Sequence, residues 1–163
     1  MLADFYYSTI CRHIGFAPTA EQASAIRTFA DFALDRNERV VMILRGSAGT
    51  GKTTLAGAIV KALVEMKQKL VLMAPTGRAA KVFAMNAGLA AFTIHRKIYR
   101  QKTMTDMASP FTLNANLATD TLFIVDEASM IANMGMGDSS FGSGCLLDDL
   151  IQFVYSGRNC RLM

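Results

Sequence analysis

An apolar run, VVMIL (residues 40–44), leads directly through Arg45 into GSAGTGKT (46–53) and then into TLAGAIVKALVEM, which has helical spacing. A chain that puts so much glycine between a strand-like run and a helical run has few folds open to it. Gly46 to Thr53 satisfies G-x-x-x-x-G-K-[ST] at every fixed position. The glycines give access to positive φ, so successive N–H groups can turn inward around a phosphate. The helix that starts there adds its positive N-terminal end. Gly46, Ser47, Ala48, Gly49, Thr50, Gly51, Lys52, Thr53 and Thr54 are therefore the candidate ATP-binding loop. Lys52 would reach the β- and γ-phosphates, and the Thr53 hydroxyl would hold Mg²⁺. The alternative is a chance match in a glycine turn, and the flanking strand and helix patterns argue against it.

The remainder of the chain repeats that alternation. KLVLMAP (69–75) and TLFIVDEA (121–128) read as buried strands, like VVMIL. TGRAAKVFAMNAG reads as a helix ending near Gly88, and CLLDDLIQFVYSG as a shorter one. Residues 101–119 look irregular, and 133–144, NMGMGDSSFGSG, is a glycine- and serine-rich loop expected to be mobile. Two helices are expected within residues 1–37, the second starting after Thr19. Strands alternating with helices predict an α/β domain with a parallel sheet flanked by helices.

The strand LFIVDEAS carries a second chemical signal. It puts Asp126 and Glu127 at its C-terminal end, where ligands collect in open α/β sheets. Asp126 suits the Mg²⁺–water shell, and Glu127 is placed to orient and deprotonate a water attacking the γ-phosphate. A base aimed at water favours hydrolysis over transfer to another substrate.

Charge is unevenly spread. Residues 66–105 hold eight of the chain's 17 Lys and Arg and none of its 13 acidic residues. Lys67, Lys69, Arg78, Lys81, Arg96, Lys97, Arg100 and Lys102 form this set. Such segregation suits a surface that meets a polyanion. Phe92, His95 and Tyr99 are interleaved with it, and an exposed ring there could stack on a base. For Phe92 the core is the better expectation. The net charge of +4 permits an anionic partner without requiring one. Three cysteines without paired spacing and two histidines do not make a zinc site, and they suit a reducing, cytoplasmic setting. No apolar stretch reaches the roughly 20 residues that cross a bilayer, so no membrane partner is expected.

Gln22 has two readings. It can be the N3 residue of a capping box with Thr19 as N-cap. Its side-chain amide can also read the adenine edge.

The segments FAPTAEQ, RGSAGTGKTT, LMAPTGRAAK, FTIHRKIY and IVDEASM occur in this order. Together they resemble the N-terminal motor lobe of superfamily 1 DNA helicases, in the RecD-like branch that moves 5′ to 3′. The resemblance runs from about Phe16 to Met130 and extends to the end of the chain, so residues 1–163 are expected to form a single lobe. It implies a RecA-like P-loop NTPase lobe with ATP and Mg²⁺ as cofactors and single-stranded DNA as partner. It implies adenine recognition by Gln22 and catalytic roles for Lys52 and Glu127, with Thr53 and Asp126 on the metal. It further implies DNA contacts by Thr76, Gly77 and Arg78, and by Thr93, His95 and Arg96. The family continues beyond VDEAS into a γ-phosphate-sensing motif and a second lobe with arginine fingers. The resemblance thus implies a lobe truncated before its last strands, missing its C-terminal lobe, and inactive alone as a helicase. The alternatives are a non-catalytic nucleotide-dependent binding module and a small P-loop kinase, for which no lid segment is evident. Oligomeric state and the pathway served are not readable.

Overall fold

The computed structural model describes residues 1–101, 111–131 and 142–163. The chain runs α1 (Leu2–Ile14), α2 (Ala20–Leu34), α3 (Lys52–Glu65), β1 (Lys69–Ala74), α4 (Gly77–Ala87), β2 (Ala91–Thr93) and α5 (Ile94–Ile98). It continues through β3 (Tyr99–Gln101), β4 (Phe111–Leu113), β5 (Thr121–Val125), a 3-10 turn (Ala128–Met130), α6 (Leu146–Ser156) and β6 (Arg161–Leu162).

The main sheet has the order β2-β1-β5-β6, and every neighbouring pair is parallel. β1 and β5 are continuous apolar runs because parallel strands are covered on both faces. Their alternation sorts side chains into two layers. Leu72 and Ile124 pack with Val60 of α3 and Phe83 of α4, and Leu70 and Leu122 join them. Met73 and Phe123 point the other way, onto Ile94 and Ile98 of α5 and Leu150 and Phe153 of α6. Phe123 and Phe153 meet edge-on, with ring centroids 5.9 Å apart.

α1 and α2 cover α3 on the first face. Tyr6, Ile10, Ile26 and Phe29 bury against Leu55, Ile59 and Leu63. α1 ends at Gly15, whose φ of 80° closes the helix in the left-handed conformation. Two polar contacts add direction to this packing: Arg12 and His13 of α1 reach the Glu65 carboxylate at 2.6 and 2.7 Å. The Arg12 hydrogen bond, then that of His13, hold the Glu65 carboxyl below its ordinary pKa of 4.5.

Two expectations need correction. Residues 40–44 are not a buried strand. They reach the sheet through one parallel bridge, Val41 to Leu162, and the Met42 amide donates to the Leu162 carbonyl at 3.0 Å. Val41 and Ile43 stay 53% and 73% exposed. The cause is the neighbour: β6 has two residues to pair with, and no strand lies on the other side among the described residues.

Residues 111–113 are not irregular. β4 pairs antiparallel with β3, Tyr99 opposite Leu113 and Gln101 opposite Phe111. Three-residue strands are too short to show a period. Lys102 and the rest of the stretch to 110 lie outside the described residues, as does the expected mobile loop except Gly142–Gly144. There the Ser143 amide donates to the Asp149 carboxylate at 3.0 Å. Among the described residues no helix is long and apolar enough to cross a membrane.

Candidate functional site

Because β1, β2, β5 and the 41–44 segment run parallel, their C-terminal ends share one edge of the sheet. The phosphate loop, the segment from Thr76, the segment from Thr93 and the acidic pair all leave from that edge.

Local chemistry shapes the loop. Gly49 and Gly51 adopt φ of 79° and 82°, the left-handed region where a Cβ is costly. Gly51 is the N-cap of α3, so the helix N-terminus opens onto the loop. A Cβ on Gly46 would stand 2.8 Å from the Thr50 hydroxyl oxygen, which keeps this position small. That hydroxyl donates to the Ser47 carbonyl at 2.8 Å. The Lys52 ammonium donates to the carbonyls of Gly46 and Ser47, at 2.5 and 2.7 Å. Lys52 is thus curled into its own loop, on carbonyl acceptors that phosphate oxygens can replace. Ser47, Ala48 and Thr54 are exposed, and Thr53 is half-buried in the first turn of α3.

Gln22 fulfils its structural reading and also lies against the loop. The Thr19 amide donates to the Gln22 side-chain oxygen at 3.1 Å, and the Gln22 amide donates to the Thr19 hydroxyl at 3.2 Å, completing the capping box. The other end of the side chain, Nε2, sits 2.9 Å from where a Cβ on Gly51 would be. Cap and loop contact use different ends of one amide.

The acidic pair continues β5. The Asp126 amide donates to the Met73 carbonyl at 3.0 Å, extending the ladder with β1 by one residue. The Asp126 carboxylate accepts from the Glu127 amide at 3.0 Å. Glu127 turns left-handed, φ 55° and ψ 36°, and its exposed side chain leaves the strand direction. A non-glycine residue held there costs on the order of 1–2 kcal/mol, and such outliers gather at working sites. Sequence patterns gave no sign of it.

β6 lies between the strand segment that feeds the loop and the strand that ends in the acidic pair. Two inter-strand spacings amount to about 10 Å. Adjacent strands would press carboxylates against the loop. The intervening strand sets the segment that feeds the loop two spacings from the strand that ends in the acidic pair.

The remaining candidates divide. Thr76, Gly77 and Arg78 are exposed at the start of α4, and the Thr76 hydroxyl accepts from the Ala79 amide at 3.2 Å. Thr93 does the same for α5, accepting from the Arg96 amide at 3.2 Å. Both are helix N-caps, which a threonine just before a helical run could have signalled. Arg96 is exposed, and Lys97 and Arg96 place their cations 5.2 and 6.0 Å from the Phe92 ring centre. Phe92 is half-buried, not a core residue.

Tyr99 overturns the stacking expectation. It is buried, and its hydroxyl donates to the Asp149 carboxylate at 2.6 Å. Burial first, and then the Asp149 hydrogen bond, raise the Tyr99 pKa above its ordinary value. The His95 ring packs 5.7 Å from that of Tyr99.

A family model described as an AAA domain matches residues 17–138. The chain belongs to this AAA domain family. The AAA domain is an α/β P-loop NTPase fold that binds nucleotide, in keeping with the parallel sheet, the glycine loop and the helix behind it. The match begins ahead of the Thr19–Gln22 cap and includes the acidic pair. An uncharacterized protein of Methanocaldococcus jannaschii is 34% identical over 128 residues, which cover 72% of this chain and 11% of that relative. The AAA domain here thus spans a small part of the relative's length.

Proposed function

We propose that this AAA domain is the ATP-binding motor lobe of a DNA helicase of the RecD-like, 5′-to-3′ branch. In the whole protein it would couple ATP hydrolysis to movement on single-stranded DNA and to duplex unwinding, together with a C-terminal lobe. The observation that carries the reading is that the glycine loop, the segments from Thr76 and Thr93 and the acidic pair all leave the same edge of a parallel sheet.

Gly46–Thr54 surround the phosphates of ATP, Lys52 neutralises their charge, and Gln22 reads the adenine. The Thr53 hydroxyl and the Asp126 carboxylate are hard oxygen donors, which fit Mg²⁺. The cation, when bound, offsets charge on the β- and γ-phosphates. Glu127 orients a water and accepts its proton. Thr76 and Thr93 keep a role in DNA binding despite their caps, since a hydroxyl that accepts an amide N–H still has its own O–H to donate. Arg78 and Arg96, both exposed, supply charge for the backbone phosphates, with Gly77 and His95 beside them.

The test is to measure MgATP binding and turnover by the chain, with and without a single-stranded oligonucleotide, alongside Lys52→Ala and Glu127→Gln. Lys52→Ala should abolish binding. Glu127→Gln should keep binding and lower any turnover by about 10²–10⁴. The oligonucleotide should change ATP affinity, and ATP should change oligonucleotide affinity by the same factor. ATP binding with no such coupling would instead assign a nucleotide-dependent binding module.

A further inference from the structure

α2 is fastened at both ends, by different parts of the molecule. Its N-terminal turn carries Gln22, whose Nε2 lies against Gly51 of the phosphate loop. Its C-terminal turn has no side-chain cap of its own; the Asp35 amide makes a long, 3.4 Å bond to the Phe32 carbonyl. The carbonyls left over at a helix end need donors. Here they come from Arg161, on β6, far along the chain. Its guanidinium donates to the carbonyls of Phe32 and Ala33 at 2.5 and 2.7 Å, and also to that of Asp35. The same guanidinium carbon lies 5.9 Å from the Phe32 ring centre.

The other contacts that α2 makes with α1 and α3 are mostly apolar: Ile26, Phe29, Ala30 and Phe32 on one face. Apolar burial is non-directional and tolerates small rotations. A planar guanidinium with donors fixed in a fork does not. Gln22 lies about 18 Å along α2 from its clamped end, so a tilt of roughly 5° about that end would move it by about 1.5 Å. That displacement is enough to break a hydrogen bond.

We infer that Arg161 is a positioning residue for base recognition: it clamps the C-terminal carbonyls of α2 to β6 and so sets where Gln22 stands against the phosphate loop. The inference rests on the proposed reading of Gln22 as the adenine-recognising group. It joins base selectivity to the sheet, because Arg161 stands opposite Leu122 of the strand that ends in the acidic pair. A plain helix cap would stabilise α2 and leave selectivity alone, which is the outcome to be told apart.

The experiment compares the chain with Gln22→Ala, Arg161→Lys, Arg161→Met and the Gln22→Ala/Arg161→Met double variant. Affinities for MgATP and MgGTP are measured for each, with hydrogen exchange at the Gln22 and Ala23 amides. The expected result is an ATP preference in the parent that Gln22→Ala erases. Arg161→Met should cut that preference at least fivefold with MgGTP affinity within twofold of the parent, and Arg161→Lys should fall between. The double variant should lose no more selectivity than Gln22→Ala alone, and Arg161→Met should speed exchange at Gln22 and Ala23 at least tenfold.

If Arg161→Met weakens both nucleotides equally, or leaves their ratio untouched in a parent that prefers ATP, the positioning role is overturned. Should Gln22→Ala leave the ratio unchanged, the adenine reading of Gln22 falls instead. The base-recognition role of Arg161 falls with it, and the exchange rates then report only that Arg161 caps α2. Arg161→Lys keeps the charge, so it serves if Arg161→Met does not fold.

Discussion

The phosphate loop leaves a segment tied to the sheet by one bridge, Val41 to Leu162, whereas the acidic pair leaves β5, paired over five residues with β1 and over two with β6. One half of the candidate site therefore hangs at the sheet's rim and the other rises from its middle. The loop can live at the rim because its shape is local: left-handed glycines, a helix start and a lysine bonded to its own carbonyls. The acidic pair has no such local code. Two carboxylates become a site only when long-range pairing delivers them to the same edge as the loop.

The sharpest way to break this contrast is to remove one apolar side chain from each half. Phe123→Ala takes away a ring that is 1% exposed and wedged edge-on against Phe153. It should cost about 3–5 kcal/mol in denaturant unfolding. Val41→Ala, at the half-exposed rim, should cost under about 0.5 kcal/mol. Similar losses would mean that the rim segment is held as firmly as β5.

A smaller effect is expected inside the loop. Gly51→Ala must place a Cβ at a φ of 82° and 2.9 Å from the Gln22 amide nitrogen. It should cost about 1–2 kcal/mol, and weaken ATP binding more than it lowers the unfolding midpoint. Unchanged ATP affinity would detach Gln22 from the loop.

Glu127→Asn probes the other half. Asparagine tolerates the left-handed region better, so thermal stability should rise by about 0.5 kcal/mol, while any ATP turnover falls. A fall in stability would show that the Glu127 side chain holds the turn.

The smallest effect concerns α3, the helix behind the loop. Glu65 has a folded-state pKa below its ordinary 4.5. Its contribution is therefore complete above about pH 4.5 and is lost as the pH falls through the folded value. Amides in the last turn of α3 should exchange faster at pH 3 than extrapolation from pH 6 gives, and Glu65→Gln should remove that excess. Amides of β5 should show none.

What could be read in the sequence follows the same division. The loop, α3, α4 and the Thr19 cap were legible because each is written in neighbouring residues: glycine spacing, a 3.6-residue period, a threonine ahead of a helix. β1 and β5 were legible as unbroken apolar runs. Residues 40–44 look the same as those runs, yet they are a rim segment, because burial depends on how many neighbours a strand finds. The same limit hid the pairing of β3 with β4 and the burial of Tyr99 against Asp149. Each is decided by a partner distant in the chain.

Between the loop and the acidic pair stands a strand of two residues with opposite characters. Leu162 faces the apolar layer of Phe123 and Phe153, and Arg161 faces the carbonyl end of α2. A slip of one residue would exchange them, driving a guanidinium into the apolar layer and taking the Arg161 donors from the carbonyls of Phe32, Ala33 and Asp35. The pair thus proofreads its own alignment. A strand too short to be secured by its hydrogen bonds is secured by the cost of every wrong placement, and the order of the strands around it is secured with it.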